Sequence, residues 1–241
     1  PKLLQGEDVG KQAEKDYCFI ETENQFSEYK HQLEDAEKIV VDIETTSVSP
    51  HTGTVLGIAL STRPHQGIYV SVDIVNNHKQ WFHNLFMEKL CIFHNSKFDT
   101  NYLETEMGFV FPQYEDTMLL HYCLEEAVGT HGLKPLALRF TDLGDYEREL
   151  DEYKKSWARK NKVKLADFNY GMLPSDILAP YACKDADATF QLYGKFKPLV
   201  EKSEEFDRLY NTILLPATHA MKTLEKNGGP INIEQVNWLA E

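Results

Sequence analysis

The stretch that most constrains this chain runs from Lys38 to Thr46 and reads Lys-Ile-Val-Val-Asp-Ile-Glu-Thr-Thr. Its β-branched run, Ile39-Val40-Val41, predicts a buried strand. The strand delivers two carboxylates, Asp42 and Glu44, separated by one apolar residue. Alternate side chains on a strand share a face, so both acids point the same way. Two like charges at the end of a buried strand repel, and burying them unpaired is costly. A cation between them resolves the conflict, and hard oxygen ligands suit Mg²⁺ or Mn²⁺. The plainer alternative is a solvated strand end with two surface acids, and the rest of the chain decides between them.

At 241 residues the chain is long enough for one large core, or one domain plus an appendage. A hydrophobic content of 42% with 26% charged residues is ordinary for a soluble globular protein. No apolar run approaches the roughly 20 residues needed to cross a bilayer, and no secretory pattern opens the sequence. The first residue is proline rather than methionine, which suggests a processed chain or an excised fragment. The cysteines, Cys18, Cys91, Cys123 and Cys183, are scattered without a Cys-x-x-Cys pair. That pattern points to reduced structural thiols in an intracellular protein. The net charge of −13 argues against a general nucleic-acid coat. It leaves room for a nucleic-acid enzyme, because bound divalent ions add local positive charge where acids cluster.

Residues 1–22 read as a loose lead-in. Helical spacing of Phe26, Tyr29, Leu33 and Ala36 predicts a helix over 23–38, ahead of the acid-bearing strand. Strands over 54–62 and 67–72 follow, giving an antiparallel meander. A helix over 77–90 leads to the short strand Cys91-Ile92-Phe93, and Ser96 is the expected cap of a helix from Lys97 to about Met107. Helices over 116–127 and 133–140 precede a polar, mobile-looking stretch over 144–170. A helix over 180–197 places Pro180 in its first turn, where proline is tolerated. Strands first, then helices interleaved with short strands, predict an α/β fold: a mixed sheet with helices on both faces. The tail differs. An amphipathic helix over 211–226 ends at Asn227-Gly228-Gly229, and Asn232 can cap a further helix that stops with the chain. This tail reads as the beginning of another domain.

Two further acidic elements join the first. Asp99, in His94-Asn95-Ser96-Lys97-Phe98-Asp99, falls in the first turn of a helix just after a buried strand, where negative groups are favoured. Asn95 stands at the strand end, where its amide can bond a phosphate, sugar or base. In Tyr181-Ala-Cys-Lys-Asp185 the tyrosine and the acid are four apart and share a helix face. Asp187 lies on roughly the opposite face, so Asp185 is the better ligand candidate and Asp187 a solvated or supporting acid. Taken singly, an acid at a helix start is a common capping residue, and a tyrosine four residues from an aspartate is most often a core residue. Together, in this order, the elements supply four carboxylates, the number that two bridged divalent cations require.

These motifs resemble the four-acid 3′–5′ exonuclease superfamily, and within it the proofreading domain of family A (polymerase I-like) DNA polymerases. Asp42-Ile-Glu44-Thr-Thr stands for the first motif, Asn95-Ser-Lys-Phe-Asp99 for the second, and Tyr181-Ala-Cys-Lys-Asp185-Ala-Asp-Ala-Thr for the third. Glu115-Asp116-Thr-Met-Leu is similar to the segment after the second motif. The superfamily's other branch has His five residues before the last Asp; Pro180 holds that place here, so the chain falls in the tyrosine branch. The segment from Leu215-Pro216 to Ile231-Asn-Ile233 looks like the join between such a domain and a polymerase thumb. One departure stands out: where bacterial members carry Arg beside His, this chain reads Gly129-Thr130-His131-Gly132.

The resemblance implies a ribonuclease H-like fold with the exonuclease over 23–203 and the start of a thumb over 204–241. It implies two divalent cations, Mg²⁺ with Mn²⁺ able to substitute. Asp42, Glu44 and Asp185 would hold the ion that activates a water, which Tyr181 and Glu44 orient. Asp42 and Asp99 would hold the ion that stabilises the leaving 3′ oxygen. The implied substrate is a single-stranded DNA 3′ end, releasing nucleoside 5′-monophosphates, with the polymerase domain in cis and the fragment monomeric. Thr45 and Val48 would meet the terminal nucleotide and Asn95 the penultimate one. Lys97 and His131 add basic contacts, and Phe98 either stacks on a base or joins the core. Lys154, Lys155, Arg159 and Lys160 open a basic run to Lys164 that reads either as a solvated helix face or as a strand-guiding patch. Two alternatives remain: an RNA-trimming exonuclease of the same superfamily, and a catalytically silent structural module.

Overall fold

The computed structural model describes residues 14–240. Six strands form one sheet: β1 (Asp16–Ile20), β2 (Lys38–Thr45), β3 (Val55–Ser61), β4 (Gln66–Ser71), β5 (Leu90–Phe93) and β6 (Tyr114–Asp116), in the order β1-β4-β3-β2-β5-β6. The β2-β3-β4 segment is the expected antiparallel meander. Strands β1, β5 and β6 add in parallel, β1 on β4 and β5-β6 on β2. The expected lead-in therefore divides: residues 1–13 lie outside the described residues, and Asp16–Ile20 is an edge strand of the sheet. Its residues are half-buried without alternation until Ile20, so it gives no period-2 signal.

The helices are α1 (Glu23–Asp35), α2 (Val72–Asn77), α3 (Lys79–Glu88), α4 (Ser96–Tyr102), α5 (Thr117–Leu124), α6 (Leu133–Phe140), α7 (Glu147–Asn161), α8 (Ser175–Glu201), α9 (Glu204–Leu209), α10 (Leu215–Asn227) and α11 (Ile233–Ala240). They cover both faces. On one face α1 and α3 bury Phe26, Leu33, Phe82 and Phe86 against Ile39, Val41 and Ile43 of β2. On the other, α5, α6 and α8 pack on Val40, Ala59, Tyr69 and Ile92. The alternation of β2 thus sends Ile39, Val41 and Ile43 into one core and turns Val40, Asp42 and Glu44 towards α8.

Several elements depart from the sequence expectation for local reasons. The expected 77–90 helix is α3, and an additional short helix, α2, precedes it and meets it at His78. The cap of α4 is not Ser96 but Asn95, held in the left-handed region at φ 70°, ψ 54°. The Ser96 hydroxyl instead donates to Asp116 Oδ2 at 2.7 Å. Asp116 ends β6 and caps α5, accepting the N–H groups of Met118 and Leu119, so the expected helix over 116–127 is a three-residue strand followed by a shorter helix. The polar stretch over 144–170 holds the 15-residue helix α7. Helix α8 starts five residues earlier than expected, at Ser175, which puts Pro180 inside it rather than in its first turn.

The tail is joined to the core of the sheet and its helices up to α10. Tyr210 is fully buried, and its hydroxyl accepts the Asp116 N–H at 2.8 Å. Ion pairs Lys97–Glu225 and Lys222–Glu104 tie α10 to α4 and to the π-helical segment Leu103–Met107 that continues it. Asn232 accepts the Gln235 N–H and caps α11 as the sequence suggested.

Candidate active site

The acids converge where β2, α4 and α8 meet. Oxygens of Asp42, Glu44 and Asp185 all lie within 4.8 Å of one another. Glu44 and Asp185 are only 5% and 6% exposed, while Asp42 is partly exposed at the edge of the cluster. Asp99, in the first turn of α4, is 3% exposed and feels the charge of Asp42, but it stands outside the group of three.

Burial is the main force on these groups. It pushes Asp42 up to about 8, with the neighbouring Asp185 charge adding to the rise. Glu44 is raised well above the usual carboxylate range by burial and then by Asp42 and Asp185. Asp99 is raised by burial and Asp42, against the pull of the backbone N–H groups of Asp99 and Ile43. A set of hard oxygen ligands that resists ionising alone fits a divalent cation, whose charge would favour all the ionised forms at once. Tyr181 is 7% exposed and its phenol is driven upwards by burial and by Asp185, so it stays protonated and can donate a hydrogen bond.

Residues with no motif signal complete the site. Lys134, in the first turn of α6, forms an ion pair with Asp185 Oδ1. Its ammonium lies 4.2 Å from the centroid of the Tyr181 ring and 4.8 Å from that of Tyr146. The Tyr146 hydroxyl donates to the same Asp185 oxygen at 2.6 Å. The one available sequence signal was a lone lysine in the otherwise apolar Leu133-Lys134-Pro135-Leu136-Ala137 run.

Beside the acids a groove of about 560 Å³ is lined by Glu44, Thr45, Val48, Phe98, Phe168 and Tyr170, among others. The Thr45 hydroxyl donates to the Ser47 carbonyl at 2.8 Å, and Val48 is 86% exposed at the groove. Phe98 packs its ring 5.2 Å from that of Tyr102 and also lines the groove. The remaining contact candidates divide. Lys154 bends inwards, its ammonium 3.1 Å from the Tyr170 hydroxyl. Lys155, Arg159 and Lys160 are exposed. Asn95 and Lys97 line a separate cleft with Leu214 and Met221, and Lys97 is engaged by Glu225. His131 pairs with His121, Nδ1 to Nδ1 at 2.8 Å, and does not line the groove.

Asp187 corrects the reading of a solvated or supporting acid. It is fully buried and accepts hydrogen bonds from the Tyr17 hydroxyl (2.7 Å), the His65 N–H (2.8 Å) and Gln191 Nε2 (2.9 Å). It locks β1 and the β3–β4 turn onto α8 instead of serving the acid cluster.

A family model described as 3′–5′ exonuclease matches residues 17–201. The chain belongs to the 3′–5′ exonuclease domain family of family A DNA polymerases. Among curated relatives, the DNA polymerase of Escherichia phage T5 is 36% identical over 207 residues, covering 82% of this chain and 24% of that protein. DNA polymerase I of Pseudomonas aeruginosa is 24% identical over 236 residues, covering 92% of this chain and 25% of that protein. The chain thus spans about a quarter of the length of these polymerases. Among solved structures, Escherichia coli RNase D superposes with a TM-score of 0.60 at 14% identity, covering 88% of this chain and 50% of that one. Brucella melitensis NrnC with bound Mg²⁺ superposes with a TM-score of 0.59 at 14% identity, covering 90% and 98%. Those likenesses establish the ribonuclease H-like exonuclease fold. Among the described residues, no helix is long and apolar enough to cross a membrane.

Proposed function

We propose that this chain is the two-metal 3′–5′ proofreading exonuclease of a family A DNA polymerase, with residues 204–241 beginning the thumb. The observation that carries the reading is the convergence of Asp42, Glu44 and Asp185 within 4.8 Å, two of them buried. In this reading Asp42, Glu44 and Asp185 hold one divalent cation, and Asp42 with Asp99 holds a second; Mg²⁺ is the proposed ion. When bound, such a pair supplies an activated water and charge stabilisation at the phosphate. The chain's own groups do the rest. Tyr181, kept protonated, donates a hydrogen bond that aims the attacking water, while Glu44 accepts one from it. Lys134, held at the cluster by Asp185, is placed to meet a phosphate oxygen. The groove beside Glu44 seats the terminal nucleotide between Thr45, Val48 and Phe98, and Tyr170 offers a ring for stacking. The exposed Lys155, Arg159 and Lys160 guide the strand.

The polymerase relatives favour DNA as substrate. The test is product analysis on matched single-stranded DNA and RNA oligonucleotides with Mg²⁺. Nucleoside 5′-monophosphates released faster from DNA support the reading, and faster release from RNA replaces it with an RNA-trimming exonuclease.

A further inference from the structure

The sheet carries a buried hydroxyl that this mechanism does not use. Tyr69 of β4 is 2% exposed, and its hydroxyl is buried without a hydrogen-bond partner among the described residues. A desolvated hydroxyl with no partner is costly to keep where phenylalanine would pack as well. Its position gives the reason. In the strand registers Asp42 stands opposite Ala59 and Glu44 opposite Gly57, while Ala59 stands in turn opposite Tyr69. All these side chains rise on the face that carries the acids. Ala59 is small and Gly57 has no side chain, so the Tyr69 ring lies across β3 towards the acids of β2. A Cβ added at Gly57 would come within 2.4 Å of both Tyr69 Cζ and the Tyr69 oxygen. The absent side chain at Gly57 is the slot the phenol occupies. Of the carboxylates raising the Tyr69 phenol, Glu44 acts most strongly and Asp42 also contributes.

We propose that Tyr69 is a positioning residue of the metal centre: its hydroxyl, laid across Gly57, becomes the hydrogen-bond donor that orients Glu44 when Glu44 turns to hold a divalent cation. This rests on the metal reading of Asp42, Glu44 and Asp185. Tyr69 touches neither ion nor substrate in this role; it fixes a carboxylate that does, and such supporting donors strongly affect metal affinity.

The test uses Mn²⁺ as the probe, titrated into the 241-residue chain and into Tyr69→Phe and followed by electron paramagnetic resonance. Thermal unfolding is recorded alongside, in EDTA and in Mn²⁺. Tyr69→Phe keeps the ring, so its melting temperature in EDTA should equal or exceed that of the wild type. Its Mn²⁺ binding should weaken about tenfold, with a smaller Mn²⁺-induced rise in melting temperature. Wild-type affinity in the variant overturns the proposal alone, as does a lower melting temperature in EDTA, which would give the hydroxyl a purely structural partner. Absence of Mn²⁺ binding by the wild type itself overturns the metal reading and the proposal with it.

Discussion

The Lys134 ammonium is ion-paired with Asp185 inside the acid cluster, under the rings of Tyr146 and Tyr181. The lysine side chain is 22% exposed and the aspartate 8%, so the pair is largely shielded from solvent. In the metal-free protein it is the positive charge that makes the packing of Asp42, Glu44 and Asp185 tolerable. It is also a charge that an incoming cation must displace or accommodate.

Removing it should therefore cost stability without metal. Lys134→Met is expected to destabilise the protein by about 2–4 kcal/mol in EDTA, since it leaves a shielded carboxylate unpaired. Urea denaturation with and without saturating Mg²⁺ checks this, and the gap to wild type should narrow when Mg²⁺ is present. An equal gap in both conditions would mean that Lys134 and the cation do not share the same carboxylates.

The raised acids set a pH dependence whose sign can be worked out. Asp42 moves from 3.8 to about 8 on folding, so between those values the folded chain binds more protons than the unfolded one. Stability from this group is present below about 4 and is lost as pH rises towards 8. In EDTA the melting temperature should fall over that window. Mg²⁺, which binds the ionised form, should flatten or reverse the trend. Melting curves across pH 5 to 8.5 in the two conditions decide it.

Asp187 should behave as a structural acid. Asp187→Ala strands the Tyr17 hydroxyl and the His65 N–H, while Gln191 keeps its bond to Asp142, and is expected to cost about 3 kcal/mol. Mn²⁺ affinity per folded molecule should be unchanged. A variant with normal stability and weakened metal binding would return Asp187 to the acid cluster.

The basic face of α7 should act through the phosphate backbone. Lys155→Glu, Arg159→Glu and Lys160→Glu combined are expected to weaken single-stranded DNA binding and to lower the slope of log affinity against log salt. An unchanged slope would leave α7 as a solvated face.

The sequence made part of this legible, for identifiable reasons. Strand β2 was readable because its alternation, Val40-Asp42-Glu44 against Ile39-Val41-Ile43, carries both the core and the chemistry. The pair Tyr181 and Asp185 was readable because helix periodicity puts residues four apart on one face. Asp187 was misread because helix geometry shows which way a side chain points but not what covers it, and β1 covers it. Strand β1 and β6 escaped notice because each is short and is defined by its partner strand, through pairings with β4 and β5. Lys134 and Tyr146 reach the site from separate helices or their caps, so no spacing links them to the acids. Lys97 looked like a free basic contact because its partner, Glu225, lies far along the chain.

The central claim is that Asp42, Glu44, Asp99 and Asp185 form a metal-dependent exonuclease centre. Its most direct test is digestion of a 5′-labelled single-stranded DNA oligonucleotide in Mg²⁺ or Mn²⁺, with Asp42→Ala/Glu44→Ala and an EDTA control run beside it. A ladder shortening from the 3′ end is expected, abolished by the double substitution and by EDTA. A folded wild-type protein that binds Mn²⁺ yet yields no ladder, or a ladder that survives the double substitution, would contradict it.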